Sequence, residues 1–251
     1  MSPVTLSDRL YPGDLPQEVM AQITCHLLNY LVVLIGLEPV RGQETVGSGT
    51  LVTYKGKFYI LTADHVWHSL KKFDEIGLTI AASPHRTAIR RDAFNPILVA
   101  ERGVMEWGPD IMFLGLPENV VSSFNVRKSF YPLDGYLRDK ASGPSNGSVV
   151  VPLAIATGVP WEECFYEGHR LHLAPQACFT RIEDEIEHGG FDYRDVEANY
   201  NVNTTLPSTF GGFSGGGLWI AYLDQNLAWD ENMGSTGFRV GWRPDVLLRS
   251  V

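Results

Sequence analysis

Cysteine is scarce in this chain: Cys25, Cys164 and Cys178 are the only three in 251 residues. An odd, irregularly spaced set makes neither a disulfide framework nor a zinc pattern. It fits a reducing compartment, so a cytoplasmic location is expected. Positive charge is also short, with 20 Lys and Arg against 29 Asp and Glu and a net charge of −9. An acidic chain neutralises phosphates poorly, which argues against nucleic-acid binding as its main task. Long apolar runs are missing. The most apolar stretch, 27–37, is broken by Asn29 and Gly36 and is too short for a membrane span, so no membrane partner is expected. The first 22 residues carry Asp8, Asp14 and Glu18 and no apolar core, and do not read as a secretory signal. No repeat of 20–50 residues is visible.

What is present suits a globular, turn-rich β protein. Hydrophobic residues make up 44% of the chain, enough for a core without disulfides at this length. The 25 glycines are about a tenth of the chain, against a usual ~7%. Residues 15–31 read as a short amphipathic helix, with Asp14 as N-cap and Val19, Ile23, Leu27 and Leu31 recurring every four positions. Strands are expected over 31–37, 49–54 and 57–62, with Lys55-Gly56 as the tight turn between the last two. One or two helical turns are expected over 65–73. Further short strands are expected over 77–81, 97–100, 112–116, 148–156, 169–174 and 217–222. Segment 182–197 is strongly acidic (Glu183, Asp184, Glu185, Glu187, Asp192, Asp195 and Glu197 against Arg194). It reads first as a solvated loop or hairpin and second as a regulatory flap.

Three local features bear on chemistry. The segment Gly211-Gly212-Phe213-Ser214-Gly215-Gly216-Gly217 can place the Ser214 hydroxyl on an exposed turn. The N–H groups of Gly212 and Ser214 can then point to one spot, where acyl transfer needs to hold an oxyanion. The segment Leu61-Thr62-Ala63-Asp64-His65-Val66 is an apolar strand that ends in small residues and then a histidine. In Gly108-Pro109-Asp110-Ile111-Met112-Phe113-Leu114 an aspartate enters an apolar strand, where burial of a carboxylate is costly unless it is hydrogen-bonded. Taken singly, these are an ordinary hairpin turn, a structural histidine and a strand-opening aspartate.

Together with Gly47-Ser48-Gly49-Thr50-Leu51-Val52, these segments resemble the motifs of the chymotrypsin/trypsin-like serine proteases, in particular bacterial trypsin-like and HtrA-like members. The order His65, Asp110, Ser214 is that family's triad order. The resemblance covers roughly residues 46–222 and lies in four short motifs. It implies an all-β, chymotrypsin-like double β-barrel with a short N-terminal helix and a C-terminal helix. On that reading 1–31 is a helical extension, 32–133 the first barrel, 134–147 a linker, and 148–251 the second barrel and tail. It also implies a bacterial serine endopeptidase acting through an acyl-enzyme. Ser214 is then the nucleophile, His65 the general base and acid, and Asp110 the group that orients the imidazole, with the oxyanion hole at Gly212 and Ser214. The specificity pocket falls near Ser208 and Thr209, where no aspartate supports a preference for Lys or Arg.

The chain departs from the family in places. Phe213 replaces the acidic or amide residue common before the nucleophile, so activation through a new N-terminus is not expected. Gly217 stands where proline is common, which implies a loose oxyanion turn ordered by substrate or by a regulatory protein partner. Asp64 precedes His65 where alanine is common, and a local ion pair is its simplest use. His65 with His68 lacks the further ligands a metal needs, and His169 with His172 face opposite sides of a strand, so no metal or cofactor is expected. The partner expected is a protein or peptide substrate. The alternative is a trypsin-like fold acting as a catalytically weak binding or scaffold protein. A viral or plant protease cut from a longer polypeptide is disfavoured by Met1 and the N-terminal helix. An α/β-hydrolase esterase is disfavoured because its histidine follows its serine in the chain.

Overall fold

The structure, a computed structural model, describes residues 15–38, 42–79, 86–100, 110–124, 126–134, 151–167, 170–188, 191–198, 207, 210–223 and 229. These residues are mostly β. A helix α1 (Gln17–Leu28) leads into β1 (Leu31–Glu38), β2 (Gly42–Tyr54) and β3 (Lys57–Thr62). A short helix α2 (Asp64–Leu70) is followed by β4 (Glu75–Thr79), β5 (Arg86–Arg90), β6 (Asn95–Ala100) and β7 (Ile111–Gly115). Then come α3 (Glu118–Phe124) and β8 (Tyr131–Pro132). The remaining strands are β9 (Val151–Gly158), β10 (Phe165–Glu167), β11 (Arg170–His172), β12 (Gln176–His188), β13 (Phe191–Ala198) and β14 (Leu218–Leu223).

The larger sheet runs β5-β4-β1-β2-β3-β7-β6, with β8 joined in parallel to β2. Its two outermost strands are neighbours in the chain, linked by a 3-10 turn at Arg91–Ala93 and by Phe94. The sheet therefore curls until its edges are one short turn apart. A second sheet runs β13-β12-β9-β14, and β10 with β11 forms a separate hairpin. Lys55 and Gly56 turn β2 into β3 with φ of 48° and 70°, the backbone of a two-residue hairpin turn, as the sequence reading expects.

Burial explains why β1 reads as a continuous apolar run. Leu31, Val32, Val33, Leu34 and Ile35 are all buried. Successive strand side chains point to opposite faces, so both faces of β1 are covered. Val32 and Leu34 pack inside the curl with Leu51, Ile60, Leu114 and the α2 residues Val66, Trp67 and Leu70. On the other face of β2 and β3, Val52 and Leu61 meet Ile23 and Leu27 of α1. Leu153, Ile155, Phe179 and Trp219 of the second sheet join the same cluster. The outer face of the first sheet is thus the floor of a core shared with the second sheet.

Several element boundaries correct the sequence reading. The helix expected over 15–31 stops at Leu28, and Leu31 opens β1 instead of extending the helical stripe. Asn29 and Tyr30 close the last turn onto His26 and Leu27, and Tyr30 then accepts a hydrogen bond from Leu51 of β2. Pairing with β2 therefore wins over the four-residue periodicity. Asp14, expected as the N-cap, lies outside the described residues. Strand β5 carries no strand signal in the sequence, because only Ile89 in it is large and apolar. The start of β12, over 176–181, is not among the expected strands. The acidic segment is a hairpin of β12 and β13, with Asp184 opposite Asp195 and Glu187 opposite Asp192. The expected linker lies outside the described residues beyond Asp134, and so does the C-terminal helix. Among the described residues no helix is long and apolar enough to cross a membrane.

A buried cation joins α1 to the first sheet. Lys128 Nζ donates to the carbonyls of Leu28, at the end of α1, and Leu31, at the start of β1, at 2.7 and 2.8 Å. Burial pushes its pKa down from 10.5 to about 8. The folded state therefore binds fewer protons than the unfolded chain between pH 8 and 10.5, and stability rises with pH through that window. Below about pH 8 the cost of the buried cation is fully present. The unfolding free energy of the wild type relative to Lys128→Met is expected to climb by up to about 3 kcal/mol from pH 8 to 10.5. Denaturant titrations at several pH values check this, and a difference independent of pH would refute it.

Candidate active site

The histidine is placed by the junction of β3 and α2. Thr62 and Ala63 are fully buried, and α2 begins at Asp64 with no side-chain cap of its own. The first N–H groups of a helix have no acceptor within it. Asp110, at the mouth of β7, supplies one from 45 residues away. Its Oδ1 accepts the His65 backbone N–H at 3.0 Å, and the Asp64 N–H also donates to its carboxylate. Its Oδ2 takes the Nδ1 side of the His65 ring in a short hydrogen bond.

Asp110 is only 4% exposed, whereas the His65 side chain is 32% exposed. Burial raises the carboxyl's pKa, but the His65 ring, through its hydrogen bond and charge, and the two backbone N–H groups outweigh it. The net result lies below the ordinary 3.8. The carboxylate is therefore ionised and accepts only, so Nδ1 must carry a proton, and the neutral form of the ring is the tautomer with its lone pair on Nε2. The stability that Asp110 contributes is present above the ordinary carboxylate range and is lost as pH falls through the lowered folded value.

The serine turn, 210–217, is tied down on several sides. Phe213 N–H donates to the Phe210 carbonyl and Gly216 N–H to the Phe213 carbonyl. Trp161 N–H holds the Gly211 carbonyl at 2.9 Å. Gly217, expected to loosen the turn, is gripped by Thr157, whose Oγ1 takes the Gly217 N–H at 3.2 Å and whose backbone N–H donates to the Gly217 carbonyl. From β2, Ser48 N–H donates to the Ser214 carbonyl at 2.9 Å and Ser48 Oγ to the Gly212 carbonyl at 2.7 Å. Among the described residues, no acceptor takes the N–H of Gly212 or of Ser214. Gly212 is buried and Ser214 is half-buried.

Glycine is required at 215. Its φ is +95°, and a Cβ there would lie 1.7 Å from the Ser48 carbonyl oxygen. Gly215→Ala is expected to cost about 2–4 kcal/mol from left-handed strain plus a backbone clash. Thermal or denaturant unfolding measures it, and wild-type stability would refute it.

Gly47 lies between the start of α2 and the serine turn. A Cβ on Gly47 would lie 2.8 Å from Val66, the neighbour of His65, and 3.1 Å from the Ser214 carbonyl. The backbone around Ser214 therefore lies across one strand from the start of α2. Ser208 and Thr209, the expected pocket residues, lie outside the described residues. The buried hydroxyls of Ser48, Thr62 and Thr157 were not singled out in the sequence. Only the position of Ser48 between two glycines marked it.

The other expected groups have separate partners. Asp64 pairs with His68, whose Nδ1 lies 3.1 Å from Asp64 Oδ1 and 3.0 Å from the Asp64 carbonyl. His172 pairs with Glu167 and stacks on Phe165. His169 lies outside the described residues. Among the described residues no cluster of three or more His, Cys, Asp or Glu could hold a metal ion. The cysteines are free thiols; burial pushes Cys178 up to about 12 and raises Cys164. Neither is a ready nucleophile.

No protein-family model matches the chain, and no curated protein matches it. Solved structures do match. One comes from work on aromatic interactions in the coupled folding and binding of the intrinsically disordered VPg protein of Sesbania mosaic virus. It is 15% identical, with 76% of this chain and 73% of that chain covered and a TM-score of 0.39.

Proposed function

We propose that the chain is a serine endopeptidase with a chymotrypsin-like double barrel, working through His65, Asp110 and Ser214. The observation that carries this reading is the double grip of Asp110 on His65, at the ring Nδ1 and at the backbone N–H. A histidine needed only for packing has no use for an ionised, buried carboxylate that fixes its tautomer. Two features support the barrels. Strands β5 and β6 read as the two halves of one bent strand closing the first barrel. Strands β9 and β12–β14 read as part of a second barrel set against it.

In the proposed reaction His65 Nε2 takes the Ser214 hydroxyl proton as Oγ attacks the peptide carbonyl. Asp110 stabilises the imidazolium that forms. The N–H groups of Gly212 and Ser214 receive the negative charge on the carbonyl oxygen. His65 then gives its proton to the leaving amine, and water repeats the sequence to free the acyl group. The substrate assigned is a protein or peptide chain.

The deciding experiment incubates the purified protein with a peptide library, beside Ser214→Ala. Cleavage by the wild type alone supports the proposal. Equal cleavage by both proteins sinks it, and binding without cleavage favours a scaffold on the same fold.

A further inference from the structure

The glycine-rich turn poses a physical problem. Five of its seven residues over 211–217 are glycine, so its peptide units can rotate cheaply. An oxyanion hole requires the opposite, N–H dipoles held in place before charge develops. A carbonyl rotated into that space would repel the charge the site must hold. Something outside the turn has to fix its peptide planes.

Ser48 meets that need with every polar atom it has. It is fully buried. Its hydroxyl donates to the Gly212 carbonyl at 2.7 Å and accepts the Val159 N–H at 3.1 Å. Its backbone N–H donates to the Ser214 carbonyl at 2.9 Å. Its own carbonyl accepts the Thr62 hydroxyl at 2.8 Å, two residues before α2 begins. The carbonyls of Gly212 and Ser214, the residues on either side of Phe213, are thus drawn toward one residue of β2. The Phe213 N–H, which belongs to the same peptide unit as the Gly212 carbonyl, is occupied on Phe210. That peptide unit is held at both ends.

The geometry points to Ser48 as the positioning residue of the oxyanion turn. Its side-chain hydroxyl holds the Gly212 carbonyl away from the reacting oxygen and so fixes the 212–213 peptide unit, which lies between the two units that carry the Gly212 and Ser214 N–H groups and keeps them facing one spot. Ser48 touches no substrate; it acts through the turn. Its bond to Thr62 places this clamp on the strand that delivers His65, so base and oxyanion site share one rigid support. This role rests on the serine-protease reading given above.

The test compares wild type, Ser48→Ala and Ser48→Cys, in which a near-isosteric thiol is a poorer donor. Three quantities are read: the final fraction of Ser214 labelled by a fluorophosphonate, the labelling rate, and kcat and KM on a peptide found in the library experiment. Affinity for a peptide aldehyde, whose adduct carries the oxyanion, is read alongside.

For Ser48→Ala, labelling is expected to reach completion while its rate and kcat fall roughly 10–100-fold, a partial loss of the donors' effect. KM stays within about threefold, and aldehyde affinity falls in step with kcat, as loss of transition-state binding alone requires. Ser48→Cys is expected to fall in between. Should Ser48→Ala not fold, Ser48→Cys decides by the same split. A wild-type kcat in the folded variants overturns the role, as does a loss carried by KM or by the labelled fraction. If the wild type itself is not labelled at Ser214, the protease reading falls and takes this role with it. A labelled wild type beside an unaffected Ser48 variant removes this role alone.

Discussion

Ser214→Ala is expected to lower turnover of a susceptible peptide by roughly 10⁶-fold, the scale on which a triad serine or histidine acts. In the proposed mechanism the loss arises because Oγ bonds to the substrate, and the turn offers no second hydroxyl. The variant should keep its fold. The Ser214 carbonyl remains bonded to Ser48 N–H, and the turn's other ties are backbone groups or side chains of other residues. His65→Ala should fall by a similar factor, and the double variant hardly further, because in the proposed mechanism the two residues perform one act. Turnover of the three variants, with thermal unfolding as a control, measures this. Multiplied losses in the double variant, or more than about a hundredth of wild-type activity in Ser214→Ala, would count against the triad.

The second large effect is expected at Asp110. Asp110→Asn should lower kcat by roughly 10⁴-fold with little change in KM. The two carboxylate oxygens have different partners: Oδ1 serves the His65 backbone N–H and Oδ2 serves Nδ1 of the ring. Asparagine can keep its one oxygen on the backbone N–H, but it then presents an NH₂ group to Nδ1. A donor there forces the ring proton onto Nε2, the atom that takes the proton from Ser214 in the proposed mechanism. The histidine stays in place in the wrong tautomer. Steady-state kinetics and the rate of Ser214 labelling should fall together. A loss of less than about tenfold would show that Asp110 serves α2 as a cap and little more.

The motifs were legible because each compresses a local requirement into a few adjacent residues. Leu61-Thr62-Ala63-Asp64-His65 reads as a strand, a small-residue corner and a polar helix start, and the chain folds that way. Residues 112–116 read as a strand from their apolar content alone, and β7 forms there, one residue earlier, at Ile111–Gly115. The Lys55-Gly56 turn was equally plain, since few residue pairs suit that backbone. What failed was of another kind. Leu31 fits the helical stripe by spacing, yet pairing of β1 with β2 claims it, a contact that no local pattern reveals. The ends of β12 were hidden because charged residues mask the alternation of a strand. The use of Ser48 is not legible locally, because three of its four hydrogen-bond partners lie 111 to 166 residues away in the chain.

The amino-acid sequence alone settles the mostly β character and supplies a serine on a glycine-rich turn, a histidine at a strand end and an aspartate entering an apolar strand. These are local matters, decided by backbone propensity and side-chain chemistry. The tertiary structure decided that Asp110 would serve as both the acceptor for the first turn of α2 and the partner of the His65 ring. It also decided that the turn around Ser214 would hang from β2 through Ser48. The reason is physical: a hydrogen bond that orients a reacting group needs two chain segments held in register, and only burial of the shared core between the two sheets holds them there. The scarcity of cysteine is consistent with this, since the residues that join the two sheets do so by packing and by buried hydroxyls.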